Sequence, residues 1–547
     1  MANAPLNNAE AELALAALHE VPLDNTFSYP LYILLTKGFF FVFGVSNFTA
    51  RFWSAIFGSG FILIPVLYKK MLGRKPAIIL SFCFALDPLL IAVSRQVDSR
   101  SLAVGLLFAA IGFIFLEKPT LAGIFTALSC MCGPSFWLGF FTLGVCVGVL
   151  YIIHKKRFPP EISFLSMKKS QLNKLSIVFL ITIITIGSYC FLEFKALIYL
   201  SNSILQFLSG WIFQTAQNIS SLLKLSILIS YLPLGIILVI VGSTLFWKNK
   251  KKNSQFLFIL LSVNFIVIMV YPGASVSDMV WISVPVWLIS ACVVGTMINK
   301  RALFSGDLII PISIILVLLM YSWLGLLRVQ SYWSMNIDFS RSIISVIGGL
   351  VLLGLIVVFC AWGWSVSQAF NGFIVGLFLF LLIFQLAMSF RTANIGKARQ
   401  YEMITEADYF DGADLISITL KKLSQWNAGI EKSMDIAVAN ESAFPSLMWL
   451  IRDYKVTQYP NERVLKKSNA DVLFTSLKIE PGFTQNYRGQ SFVISSKPVW
   501  ASTESEAVNL VEFMNWFFFR NGNLKKNNVI LWAREELFLK ASEISVD

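Results

Sequence analysis

The apolar residues of this chain come in unbroken blocks rather than in alternation with polar ones, and that grouping decides what it can fold into. Blocks of about 18–25 residues match a hydrocarbon core of about 30 Å. In lipid each backbone polar group must be satisfied within its own segment, so such blocks read as helices. Twelve candidates follow, at 47–68, 76–94, 100–116, 119–133, 135–153, 174–194, 222–247, 255–271, 277–298, 307–328, 342–362 and 368–390. Two earlier segments fall short. Residues 7–20 are amphipathic but too polar to span, and 30–44 are apolar but only 15 long, which suits a helix lying at the interface. The pair at 119–133 and 135–153 is short and joined at Gly133-Pro134, a candidate tight re-entrant hairpin.

Charge gives these segments an orientation. The chain carries a net charge of +13 over 547 residues. From Arg391 onward the sequence holds 19 basic and 19 acidic residues, so the whole excess lies before it. There it gathers in short loops: Lys69, Lys70, Arg74 and Lys75; Lys155, Lys156 and Arg157; Lys168 and Lys169; Lys248, Lys250, Lys251 and Lys252; Lys300 and Arg301. That is the positive-inside pattern of cytoplasmic loops, and it explains the basic pI without nucleic acid. Alternation from Lys69 then puts 1–46, the stretch 95–100, 196–221, 272–276, 329–341 and 391–547 on the outer side. Both ends lie outside. Nothing before Met1 carries the amino end across, so the expectation is that a helix is missing from the front of the chain.

The expected architecture is an all-α polytopic membrane domain of about twelve spanning helices at 47–390, preceded by an outer loop with amphipathic and interfacial helices at 1–46. A small soluble extracytoplasmic α/β domain follows at 391–547. In that last region helical patterns cover about 411–426 and 505–519. Strand-like runs occur at Ile436–Ala439, Val472–Phe474, Phe492–Ile494 and Val529–Trp532. It contains no glycine-rich phosphate loop and no nucleophile elbow. Its YRGQSF and ILWAREELF stretches, at 487–492 and 530–538, read as a folded lid or as plain structure. All seven cysteines fall in apolar segments, so no disulfide framework holds the tail, and two distant histidines exclude a His-rich metal site.

Ionisable groups at membrane depth are costly and stand as functional candidates. Here they gather at the outer rim: Asn7, Asn8, Glu10 and Glu12; Arg95, Asp98 and Arg100; Asp278 beside Trp281; Asp338 and Arg341. Asp87, before Pro88, is the deepest carboxylate. Each has a plain structural reading as well. Asp98 and Asp278 stand where a carboxylate favours the positive end of a helix, and Glu10 and Glu12 suit the solvated face of one. Scattered carboxylates give only a weak signal for Mg²⁺ or Mn²⁺, and no metal is required.

The order of the segments carries a resemblance. PLNNAEAELALAALHEVPLDNTFSYPLYILLT at 5–36 is followed by FGVSNFTARFWSAIFG at 43–58, a basic inner loop, and ALDPLLIAVSRQVDSRSLAVG at 85–105. This resembles the integral-membrane glycosyltransferases of the GT-C class, above all the family of protein O-mannosyltransferases and the lipid A aminoarabinose transferase. There an acidic motif opens the first outer loop. A "P-P-L-Y"-like step follows, here Ser28-Tyr29-Pro30-Leu31-Tyr32, then "F-G-x-S-x-x-x-x-R", here Phe43 to Arg51, then "S-R-x…D", here Ser94-Arg95 and Asp98. The likeness covers roughly 5–300.

The resemblance implies transfer of a sugar from a polyprenyl-phosphate donor to a protein, glycan or lipid acceptor at the outer face of a bacterial plasma membrane. It implies an acidic general base in the first outer loop and basic side chains at the leaving phosphate. The acidic motif falls on Asn7-Asn8-Ala9-Glu10, so an amide stands where the aspartate is expected. Glu10 or Asp98, with Asn8, is then expected at the catalytic position, and Asn7, Tyr29, Arg95, Arg100 and Asp278 around substrate and phosphate. The amides keep a second expectation open, a catalytically impaired relative that binds polyprenyl lipid or serves in a membrane assembly. A secondary transporter is less favoured, because the sequence has no internal repeat and its charges sit at one rim.

Overall fold

The computed structural model describes residues 4–18, 28–153, 169–189, 194–213, 221–249, 252–298, 308–363, 365–393, 402, 410–476, 483, 485–498 and 510–538. Of the basic loops, the cluster Lys69, Lys70, Arg74 and Lys75 lies within them. Lys155, Lys156, Arg157, Lys168, Lys250, Lys251, Lys300 and Arg301 lie outside.

Each of the twelve expected segments contains a helix. Seven described helices are long and apolar enough to cross a membrane: Asn47–Leu67, Pro134–Ile153, Lys169–Gly187, Ser277–Ile298, Ile309–Ser334, Ser340–Gly363 and Val366–Ala393. Two further helix pairs are apolar enough when taken together but are bent, as a broken span or a re-entrant loop is. Arg74–Ala85 and Pro88–Ser94 meet at 58°, and Ser221–Tyr231 and Pro233–Leu245 at 91°. Arg100–Phe115, Pro119–Cys130 and Gln255–Val270 are apolar but shorter, as is Pro30–Phe43.

The breaks follow from proline. Pro88 and Pro233 lack the N–H that would continue the preceding helix, and each disfavours helical backbone in the residue before it. Asp87 then caps the new helix, its Oδ1 accepting from Leu89 N at 2.9 Å. Pro30 and Pro119 likewise open their helices, where a missing donor costs nothing.

The proposed hairpin at 119–153 resolves differently. Pro134–Ile153 is a full-length helix that packs mainly on Lys252–Val270 and Lys195–Ser209, whereas Pro119–Cys130 packs on Arg100–Phe115 and Lys169–Gly187. Gly133 turns the chain between them with φ +103°, and a Cβ there would lie 2.5 Å from the Tyr29 ring.

In the C-terminal region five strands form one mixed sheet: β1 (Asp435–Ala439), β2 (Lys455–Tyr459), β3 (Val472–Ser476), β4 (Tyr487–Pro498) and β5 (Leu524–Arg534), in the order β2-β1-β3-β5-β4. β1 runs parallel to β2 and β3, while β5 is antiparallel to β3 and β4. The apolar faces of helices Ala413–Ala428 and Pro445–Ile451 cover one side. β2 is the strand the sequence hides, because KVTQY is a mostly exposed edge without an apolar alternation.

This region is tied to the bundle at two places. Ser446 Oγ donates to Asn8 Oδ1 at 2.6 Å, and Trp449 Nε1 to Asn47 Oδ1 at 2.8 Å. Farther on, helix Leu510–Phe519 leaves the sheet and buries Trp516 in the bundle's core. Arg520, after it, stacks on Trp516 and Tyr231 at 3.8 and 4.7 Å and faces Glu402.

Several close helix contacts rest on glycine, and Gly139 is one of them. Trp281 brings the edge of its indole against Pro134–Ile153 because position 139 has no side chain; a Cβ there would sit 2.3 Å from the ring. Gly139→Ala is therefore expected to lower the apparent unfolding temperature in detergent, a cost of about 1–3 kcal/mol from overpacking. Gly144→Ala on the same helix, where nothing lies within 4 Å, is expected to leave it unchanged.

Candidate functional site

The amino-terminal helix is fixed before it can do chemistry. Asn7 and Glu10 form a reciprocal cap: Asn7 Oδ1 accepts from Glu10 N at 2.8 Å, and Asn7 N donates to Glu10 Oε2 at 3.2 Å. The Glu10 carboxylate then meets Arg51 in two parallel bonds, Nε to Oε1 at 2.8 Å and Nη2 to Oε2 at 2.7 Å. Val97 N donates to Oε1 at 3.1 Å. Four donors occupy the four acceptor positions of the carboxylate. Arg51 Nη1 donates to Ala4 O at 2.8 Å, and Nη2 donates to Pro5 O at 2.9 Å as well as to Glu10. Both side chains are buried, at 3% and 1% exposure.

Glu10 thus ties the amino-terminal helix to Arg51 and to the turn at Val97. Asn8, on the same helix, meets Ser446 through its side-chain carbonyl.

The other expected carboxylates do come together. Asp98 precedes helix Arg100–Phe115, and its Oδ1 accepts from Arg100 N at 2.9 Å. Arg100 bridges two acids, with Nη1 3.0 Å from Asp98 Oδ2 and Nε 3.3 Å from Asp278 Oδ1. Asp278 accepts from Ser135 Oγ at 2.7 Å, Ser275 Oγ at 2.8 Å and Ser275 N at 3.1 Å. Trp281 Nε1 donates to the same Ser135 at 3.0 Å. Residues 180 apart thus form one buried network: two carboxylates, one guanidinium and two hydroxyls, each supplied by the start of a helix or the turn before it.

Behind Asp98 stand Ser54, which donates to Asp98 O at 2.7 Å, and Tyr32, whose hydroxyl accepts from Ser54 and donates to Ala50 O. Beyond Asp278 lies Lys224, buried, its Nζ donating to Ile268 O and Tyr271 O at 3.1 and 3.3 Å.

Arg95 sits in the turn between Pro88–Ser94 and Arg100–Phe115. Its Nε is buried and has no hydrogen-bond partner among the described residues. Burial, and then the nearby charge of Arg51, push its pKa below the ordinary arginine range. Tyr29 caps helix Pro30–Phe43 and seats its ring against Gly133, so it supports the turn that leads to Ser135. Asp87 is fully buried at the broken helix beside Ser283 and Trp287, away from the network. No group of three His, Cys, Asp or Glu among the described residues is arranged to hold a metal ion.

Sequence reasoning passed over Ser54, Ser135, Ser275 and Lys224. Serines are too common in helices to stand out. Lys224 had a signal, a lone cation in the apolar run SSLLKLSILISYL.

This frame has close counterparts among solved structures. Crystal structures of ArnT from Cupriavidus metallidurans superpose on the chain in two states. The form bound to undecaprenyl phosphate has a TM-score of 0.56 and 12% identity over 97% of this chain and 93% of that one. The apo form has a TM-score of 0.53 and 13% identity over 98% and 95%. The fold is that of the GT-C class. No protein-family model matches the chain, and no curated protein matches its sequence. At such low identity the likeness extends to the fold, which is the one the order of sequence motifs resembled, and residue roles rest on the geometry above.

Glu10→Gln leaves the Arg51 guanidinium buried beside a neutral amide, and removing one member of a buried pair costs about 3–5 kcal/mol. The variant is expected to melt well below wild type in detergent. Glu12→Gln, two residues on and exposed, is expected to melt with wild type.

Proposed function

We propose that this chain is a polytopic membrane glycosyltransferase that moves a sugar from a polyprenyl-phosphate donor to an acceptor at the outer face of the plasma membrane. The observation that carries the reading is the GT-C architecture over nearly the whole chain, with the Asp98–Arg100–Asp278 network built into it. ArnT holds undecaprenyl phosphate on this fold. The same lipid class supplies a donor whose leaving phosphate gains charge as the glycosidic bond breaks.

In this reading Asp98 is the general base. It takes a proton from the acceptor hydroxyl as the acceptor oxygen attacks the anomeric carbon, and the polyprenyl phosphate departs with the bonding pair. Arg100 holds Asp98 in place by an ion pair at 3.0 Å, while Asp278 fixes the other side of that guanidinium. Arg95, whose Nε lacks a partner among the described residues, meets the phosphate; a guanidinium suits phosphate oxygens in paired hydrogen bonds. The outer placement of residues 391–547 belongs to the same proposal and is supported by the basic loop at Lys69–Lys75.

A second reading has its own support. Asn7 and Asn8 are amides, Asn7 and Glu10 cap each other, and Glu10 is saturated by Arg51. A chain with no working base in its first loop would bind polyprenyl phosphate without transferring sugar.

An assay with labelled polyprenyl-phosphate sugars in membranes separates the two. Wild type is expected to transfer label, and Asp98→Asn is expected to lose about 10²–10⁴-fold in turnover, the usual share of a general base. Arg95→Gln is expected to weaken donor binding by about tenfold or more, as loss of a charge-assisted bond does. Donor binding without transfer in wild type favours the second reading. Full activity in Asp98→Asn removes that residue from the mechanism.

A further inference from the structure

β4 is the last strand of its sheet, and among the described residues its outer edge has no backbone partner from Tyr487 to Phe492. Gly412 N donates to Val493 O at 2.9 Å, so the peptide group at Val493 faces away from β5. In an antiparallel strand alternate residues face the neighbour and the others face away. The pairing of β4 with β5 is regular from Tyr487 to Val493, so Gly489 and Ser491 also direct their N–H and C=O groups outward. The described residues provide no backbone partner for them.

Edge strands are normally blunted by charge, proline or cover. Here Gly489 to Ser496 contains no charged residue and no proline, and the cover begins only at Val493.

Beside this edge runs a groove. Helix Ala413–Ala428 forms one wall with Thr419, Lys422 and Trp426, and Arg488, Gly489 and Gln490 form the other. Its floor is apolar, Leu423, Leu531 and Ala533, and Phe538 closes one end against Trp426, with ring centroids 6.1 Å apart. Lys422 is exposed and has no ion pair among the described residues. Arg488 lies over the Phe538 ring and pairs with Glu535 at the surface, where such a pair holds weakly.

We propose that this groove takes an extended, acidic polypeptide segment, which adds to β4 as a sixth strand. Strand addition joins two kinds of contact: main-chain hydrogen bonds to the edge, and alternate side chains set into pockets beside it. Gly489 and Ser491 supply the first. The helix wall and apolar floor take every second side chain, and Lys422 and Arg488 select for carboxylates. The proposal is independent of the glycosyltransferase reading, since it uses no residue of that network.

The test uses the full-length protein in detergent and a fluorescein-labelled peptide of about ten residues, alternating valine and threonine with two central glutamates. Anisotropy is expected to show saturable binding, and the same peptide with lysines for glutamates is expected to bind about tenfold or more weakly. Hydrogen exchange at the Gly489 and Ser491 amides is expected to slow in the complex. Ser491→Pro removes one outward N–H at a site where an edge strand accepts proline. It is expected to keep the unfolding temperature and lose the peptide by about tenfold or more. If Ser491→Pro melts early, Lys422→Glu on the exposed helix face decides by the same loss. No binding of the acidic peptide, with or without binding of a neutral oligosaccharide such as maltohexaose, overturns the proposal. Equal binding by wild type and the folded variants also overturns it.

Discussion

A guanidinium largely withdrawn from water draws acceptors or aromatic faces around it, and Arg51, Arg100 and Arg520 do so across distant parts of this chain. Five donors in a rigid fork leave little freedom in how they are met. Arg51 gathers the amino-terminal segment, taking Ala4 O, Pro5 O and both oxygens of Glu10. Arg100 draws together the turn before one helix and the start of another, through Asp98 and Asp278. Arg520 seats the C-terminal region on the bundle, between Trp516 and Tyr231 and facing Glu402. Each joins segments that the apolar blocks alone would leave unregistered, because lipid gives helices no hydrophobic reason to choose one neighbour over another.

What was legible in the sequence was what depends on segment length. The apolar blocks gave the helices, and the order of the loop motifs pointed to the fold. Roles depending on a partner were not legible. Nothing in the sequence pairs Glu10 with Arg51, 41 positions away, whose fork closes on its carboxylate. Nothing pairs Asn8 with Ser446, 438 residues on, whose hydroxyl donates to its side-chain carbonyl. The C-terminal region was half legible. Its buried strands carry β-branched and aromatic runs, but β2 is polar. Helix Leu510–Phe519, apolar enough to belong to a sheet's core, instead serves the bundle.

The network around Arg100 owes its form to where its members sit. Asp98, Ser135 and Asp278 stand at or just before helix starts, where backbone N–H groups are unpaired and the helix dipole favours negative charge. Ser135 follows the Gly133-Pro134 turn, and Tyr29 holds that turn from below. A carboxylate placed this way has its geometry set by the backbone rather than by a flexible side chain, which is what a group that must act on a bound substrate requires. Lys224 extends the same logic, clamping two carbonyls at the end of helix Lys252–Val270 close to Ser275 and Asp278.

The interior also argues about direction. Polar groups crowd the end of the bundle that carries residues 95–99, and the opposite half encloses an apolar cavity. Phe61, Phe84, Phe108, Phe256, Leu260 and Leu288 line it, and the one hydroxyl on its wall, that of Tyr68, is turned into a bond with Phe108 O at 2.6 Å. A solute crossing the membrane needs polar partners along its whole path to replace lost water. Asp87 is a carboxylate deep in the bundle, and its Oδ1 caps the broken helix at Leu89. The buried ion pairs of Asp98, Arg100 and Asp278 thus stand at the end that carries residues 95–99, while the interior farther along the bundle is lined by hydrocarbon.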